Sequence, residues 1–140
     1  MRTADDASIA RGPHLDNPLT LFTMLIYLRR KDDRTQGGDL QLYAPHDPGF
    51  QFDEKGRELP TEVATVIKTI PYEHNTAVAF MNGPLAFHGV SLRQATSYPR
   101  TTISFALHLP EPVFEIRRRG FGQRLRRLRR RVTRLLPAGA

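Results

Sequence analysis

From Leu19 to Leu28 the chain reads LTLFTMLIYL, apolar or threonine almost throughout, rich in branched and aromatic side chains and free of glycine and proline. Such a run predicts a buried strand. The polar stretch RRKDDRTQGG that follows turns the chain, after which Asp39-Leu40-Gln41-Leu42-Tyr43 alternates polar with apolar and predicts a half-exposed strand with Leu40 and Leu42 on one face. Residues 44–60 hold three prolines and two glycines and read as a long loop. Further strands are expected at 63–70, 76–81, 85–91 and 101–109, each bounded by Pro, Gly or Asn. Short strands separated by turns predict an all-β sandwich or barrel. Beyond Pro110 and Pro112 the pattern changes. Phe121, Leu125, Leu128, Val132 and Leu135 recur at helical spacing with arginine elsewhere, the signature of a basic amphipathic helix. The expected organisation is one β domain over 1–112 and an Arg-rich helical tail over 113–140.

Charge sharpens this division. The formal net charge is +7, yet residues 117–140 carry ten arginines and no acid, which leaves eleven Lys and Arg against fourteen Asp and Glu upstream. The body is therefore mildly acidic and the tail strongly basic. The absence of cysteine excludes disulfides, thiolate metal sites and cysteine nucleophiles, so any metal must be held by His, Asp or Glu. The N-terminal residues lack a signal-peptide pattern, and LTLFTMLIYL is too short to span a bilayer, so a cytoplasmic protein is expected.

The chain contains one His-x-Asp/Glu, His14-Leu15-Asp16. In an extended segment the i, i+2 spacing points both side chains to one side, where they can grip one ion. Alone, such a tripeptide is commonly an ordinary turn. A third ligand must come from a distant strand, and His88, beside the small Gly89, sits in the strand-like LAFHGV. Two imidazoles and a carboxylate make the facial triad suited to non-haem Fe(II), which leaves adjacent positions free for a chelating cosubstrate and O₂. In Tyr98-Pro99-Arg100-Thr101-Thr102, Arg100 can clasp a carboxylate bidentately and Thr102 can add a hydroxyl from the same strand face. Arg93 is the rival for that role, although it reads most simply as a solvated surface residue. His46, His74 and His108 are assigned to structure or solvent, and Gly37 and Gly38 to a turn.

The ordered set His-x-Asp, Gly37-Gly38-Asp39-Leu40, His88-Gly89-Val90 and Arg100-x-Thr102 resembles the Fe(II)/2-oxoglutarate-dependent oxygenase superfamily, nearest its prolyl-4-hydroxylase-like branch, over roughly residues 12–109. The resemblance implies an eight-stranded double-stranded β-helix of jelly-roll or cupin type. It implies His14, Asp16 and His88 as iron ligands, Arg100 and Thr102 as the anchor for the distal carboxylate of 2-oxoglutarate, and Tyr27 as a further cosubstrate contact. The implied activity is hydroxylation of a small-molecule or peptidyl substrate with O₂, releasing succinate and CO₂, with Fe(II) and 2-oxoglutarate required and ascorbate a candidate addition. Family members carry strands and helical support before the His-x-Asp, whereas thirteen residues precede His14 here. That departure implies a truncated copy, or a second copy or partner chain that completes the barrel edge.

Two other classes stand beside the oxygenase. One is a catalytically silent β-helix binding module. The other is a membrane-surface or nucleic-acid adaptor driven by the tail; for the tail itself a packed or solvated helix ranks first, a membrane surface second and nucleic acid third. Phe121 is the sole aromatic residue among the tail arginines and no nucleic-acid motif is present, so nucleic-acid recognition is not expected.

Overall fold

The computed structural model describes residues 10–47, 50 and 58–115; the expected tail helix lies outside them. Seven strands, β1 (Arg11–His14), β2 (Thr20–Tyr27), β3 (Leu40–Pro45), β4 (Ala64–Ile70), β5 (Thr76–Met81), β6 (His88–Val90) and β7 (Thr102–His108), are joined by loops and one 3₁₀ turn, Thr61–Val63. They form two antiparallel sheets, one ordered β1-β6-β3-β4 and the other β5-β2-β7. The all-β, jelly-roll-like expectation holds. The strand count differs from the expected eight, with four strands in one sheet and three in the other among the described residues.

The longest apolar run becomes β2, which sits between β5 and β7 and pairs with both along most of its length. Its central place explains its composition, because both of its edges are occupied and one of its faces looks inward. Tyr27 from β2 meets Leu40 from β3 and Tyr72 from the β4–β5 turn in a buried cluster, joined by Leu25, Leu42, Ile70, Val78 and Phe80. Leu40 and Leu42 share this face, as their alternation predicts. Tyr43 serves a second cluster with Leu15, Leu59 and Phe87, against which Phe50 and Phe114 pack. The four-stranded sheet is therefore covered on its second side around Tyr43 and Phe87, while Val66 and Ile67 on β4 stay exposed. A register shift between Leu42 and Tyr43 skips Ile67 on β4, so that Leu42 pairs with Lys68 but Tyr43 with Val66.

β6 is shorter than the expected 85–91. The amide of Ala86 donates to the Gly83 carbonyl and that of Phe87 to Leu85, so those residues turn before the ladder begins. β1 could not be read from apolar pattern, since its RGPH sequence has none. It exists because β6 offers a free edge, and the pair approaches closely at Gly89, where an added Cβ would lie 2.4 Å from the Arg11 carbonyl oxygen. The β2–β3 turn uses Gly37 and Gly38 at φ 82° and 79°, the left-handed region that glycine enters freely.

Candidate metal centre and carboxylate pocket

β1 and β6 pair with His14 opposite His88, and β6 and β3 pair with His88 opposite Leu42. Directly opposed residues share a face, so both imidazoles point between the sheets, towards the side lined by Leu40 and Leu42. Their ring centroids lie 4.4 Å apart, and Phe80 from β5 walls the site 4.6 Å from the His88 ring. Asp16 follows β1, and its Oδ1 stands 3.6 Å from His88 Nε2. One ligand atom from each of His14, Asp16 and His88 falls within 4.8 Å of the others. The two strands and the following loop thus bring together the three residues that sequence spacing singled out.

The hydrogen bonds around these side chains favour metal ligation. His14 Nδ1 is 3.0 Å from the Gly12 carbonyl oxygen and His88 Nδ1 is 3.0 Å from that of Ala86. A carbonyl can only accept, so each ring carries its proton on Nδ1 and keeps the Nε2 lone pair available. The Thr23 hydroxyl donates to Asp16 Oδ2 at 2.7 Å, which fixes the carboxylate and leaves Oδ1 towards the imidazoles. The charges follow the same logic. The Asp16 carboxyl is held down at about 2, chiefly by a hydrogen bond from the facing His88 when that imidazole carries a proton on both nitrogens, with help from the Thr23 hydroxyl and against the opposing effect of burial. Burial is the main cause that lowers the His14 pKa, with the Gly12 carbonyl opposing it. Both groups therefore keep their ligating forms, carboxylate and neutral imidazole, into acid.

Deeper between the sheets lies a second constellation. Arg100 donates from Nε to the Gly38 carbonyl at 2.8 Å and from Nη1 to the Thr102 hydroxyl at 3.2 Å. Its guanidinium lies 5.0 Å from the Tyr72 ring and 5.4 Å from the Tyr27 ring. Arg100 Nη2 and the Tyr27 hydroxyl are both buried and without a hydrogen-bond partner. Burial also raises the Tyr27 pKa, so its hydroxyl stays protonated and able to donate. The unpaired Nη2 of the arginine and the neighbouring hydroxyl fit a carboxylate, which accepts from both.

Arg93 is not the solvated surface residue its polar neighbourhood suggests. It is 2% exposed, ion-paired through Nη2 with the buried Asp33, and donates from Nη1 to the Tyr98 carbonyl at 2.7 Å. Alternation along an irregular loop carries no signal of burial, so the pairing across sixty residues was invisible in sequence. His46, His74 and His108 bond to the Thr65 hydroxyl, the Arg29 carbonyl and the Thr20 hydroxyl, as structural residues do.

Sequence reading missed three contributors. Thr23 is one, although a hydroxyl inside an otherwise apolar strand is a signal that could have found it. Tyr72 is another. Its ring faces the guanidinium groups of Arg29, Arg93 and Arg100, and its hydroxyl donates to the Thr101 carbonyl while accepting from the Thr101 amide. Nothing in the PYEHN turn distinguishes it. Gly38 is the third, since its carbonyl holds Arg100 and an added Cβ would come within 3.2 Å of the Arg100 side chain.

Residues 7–108 match the family model described as the 2OG-Fe(II) oxygenase superfamily. No curated protein and no solved structure matches the chain.

Proposed function

Because the chain belongs to the 2OG-Fe(II) oxygenase superfamily, we propose that it is a hydroxylase built on a double-stranded β-helix, acting on a small-molecule or peptidyl substrate. In this reading His14, Asp16 and His88 hold the iron, while Arg100, Thr102 and Tyr27 hold the distal carboxylate of 2-oxoglutarate. The observation that carries it is the pairing of a converged His-Asp-His set with two orphaned buried donors, Arg100 Nη2 and the Tyr27 hydroxyl. The Arg93 guanidinium, the other candidate anchor, is already engaged by Asp33.

Iron would supply the redox chemistry that couples oxidative decarboxylation of 2-oxoglutarate to substrate hydroxylation, with O₂ divided between succinate and product. The chain's own residues orient and exclude. The Gly12 and Ala86 carbonyls set the tautomers of the two histidines, and Thr23 sets the rotamer of Asp16. Arg100, fixed by Gly38 and Thr102, positions the cosubstrate's far end, and Tyr27 and Tyr72 keep water from its guanidinium. The prolyl-4-hydroxylase-like branch stays part of the proposal, as does a cytoplasmic location. Among the described residues no helix is long and apolar enough to cross a membrane.

The test is 2-oxoglutarate turnover with Fe(II), O₂ and ascorbate, read as succinate released per O₂ consumed in wild type and in His14→Ala. The proposal expects turnover that the substitution abolishes. A second reading, the catalytically silent module, draws on β7, whose Ser104 and Ala106 are exposed although they face the sheet interior with Thr102. Folded wild type that releases no succinate with Fe(II) bound would establish that reading instead.

A further inference from the structure

Among the described residues, the outer face of the three-stranded sheet is apolar and uncovered. Its middle strand, β2, contributes Phe22, Met24 and Ile26. On one side β7 sets Leu107, Phe105 and Ile103 directly opposite them, a ridge of large side chains. On the other side β5 sets Met81, Ala79 and Ala77 opposite them, so that beyond Met81 the surface drops into a trough. Residues directly opposed across a ladder share a face, so ridge, middle row and trough form one surface with no charged side chain. Met81 is 58%, Leu107 53%, Phe105 50% and Ile103 43% exposed, and both alanines are exposed. At roughly 200 Å² for a large side chain, the face offers about 600 Å² of apolar surface, the upper end of what a monomer carries without a partner. Phe50, Leu59 and Phe114 pack instead around Tyr43 and Phe87 of the other sheet.

We propose that this face binds the same face of a second copy about a two-fold axis parallel to β2, with the β7 ridge of each copy seated in the β5 trough of the other. The relief of the surface points to this occupant. An axis parallel to the strands and midway between the facing sheets lays β2 on β2 and exchanges the flanking strands, so that each β7 lies over the other copy's β5. Phe105 then meets Ala79 of the partner subunit, and Ile103 meets Ala77 of the partner subunit. Each contact occurs twice, as an isologous interface requires. Facing sheets lie about 10 Å apart and interdigitate their side chains, so a ridge fits over a trough better than over another ridge. Leu107 meets Met81 of the partner subunit at a corner, where a crossing angle of about 30° parts the two sheets. The area agrees. Two such faces together remove about 1,200 Å² from water, the lower bound of a specific interface, and the lack of charge matches the apolar centre of homodimer contacts. This inference does not depend on the oxygenase reading.

Sedimentation equilibrium of the full-length chain should show a dimer at tens of micromolar. Phe105→Glu places a charge on the ridge and Ala79→Arg places one in the trough. Each should weaken self-association about 100-fold, because each buries an unpaired charge twice. Both positions are exposed, so the β-sheet circular dichroism should persist. An equimolar mixture of the two variants should regain a dimer about ten times tighter than either variant alone, because one contact then pairs the introduced acid with the introduced base and the other keeps Phe105 on Ala79. A dimer that both variants leave intact would overturn the proposal, as would variants that fail to complement each other. A monomeric wild type would overturn it as well. The chain has no native cysteine, so alkylation of an Ala79→Cys thiol then reports what occupies the face instead. Shielding in the monomer would assign the face to another part of the chain, and shielding that arises only with phosphatidylserine vesicles would assign it to a membrane.

Discussion

At the scale of single residues, the proposed site depends on groups that fix the candidate ligands as much as on those residues themselves. Thr23 donates the hydrogen bond that orients Asp16, so Thr23→Val should weaken Fe(II) affinity by about 10- to 100-fold without altering the fold, as removal of a ligand's own partner does elsewhere. Isothermal titration under anaerobic conditions would measure it, and unchanged affinity would remove Thr23 from the site. Tyr27→Phe deletes one of two orphaned donors and should raise the 2-oxoglutarate requirement about tenfold, whereas Arg100→Ala should raise it far more because a charged, bidentate donor is lost. Equal effects of the two substitutions would argue against a carboxylate at this point. The convergence of His14, Asp16 and His88 was legible in the sequence because i, i+2 spacing and a distant histidine suffice to nominate it. The burial of Arg93, the hydroxyl of Thr23 and the ring of Tyr72 were not, because each acts through a contact between segments far apart in the chain.

At the scale of elements, two local arrangements carry testable consequences. Gly89 lets β6 approach β1, and a methyl group there would meet the Arg11 carbonyl oxygen at 2.4 Å. Gly89→Ala should push β1 away, misplace His14 and abolish metal binding; retained Fe(II) affinity would show that β1 tolerates the shift. The Arg93–Asp33 pair ties the β2–β3 loop to the segment before Arg100. Although burial alone would raise the Asp33 pKa, hydrogen bonds from Thr35 and the charges of Arg93 and Arg29 bring it below its usual value of 3.8. The folded chain therefore binds fewer protons at Asp33 than the unfolded chain. The stability this contributes is present above pH 3.8 and is lost as pH falls through the depressed folded value. Asp33→Asn should destabilise by about 3–5 kcal/mol at neutral pH, because it strands a buried guanidinium. The gap between variant and wild type in urea melts should narrow at acid pH, and a gap that stays constant would mean that Asp33 does not titrate with the fold. The apolar runs foretold β2, β4, β5 and β7, and alternation foretold β3. β1 and the true length of β6 escaped notice because pairing and turn hydrogen bonds, rather than hydrophobicity, define them.

At the scale of the whole molecule, the two sheets act as a frame that carries both constellations on its inner face. β2 supplies Thr23 beside Asp16 at its middle and Tyr27 beside Arg100 at its end. In the proposed function a dicarboxylate would lie along this strand, between the His14-Asp16-His88 group and Arg100. The all-β class was readable from strand length and turn spacing, while the division into four and three strands required the register of the ladders. Among the described residues β7 has a ladder partner on one side only. The most direct test is anaerobic titration of Fe(II) and 2-oxoglutarate into wild type, His88→Ala and Arg100→Ala, following the metal-to-ligand charge-transfer absorption. Wild type should give a band, His88→Ala no band, and Arg100→Ala a band that needs far more 2-oxoglutarate. A folded wild type that gives no band, or a band that survives His88→Ala unchanged, would contradict the proposed function.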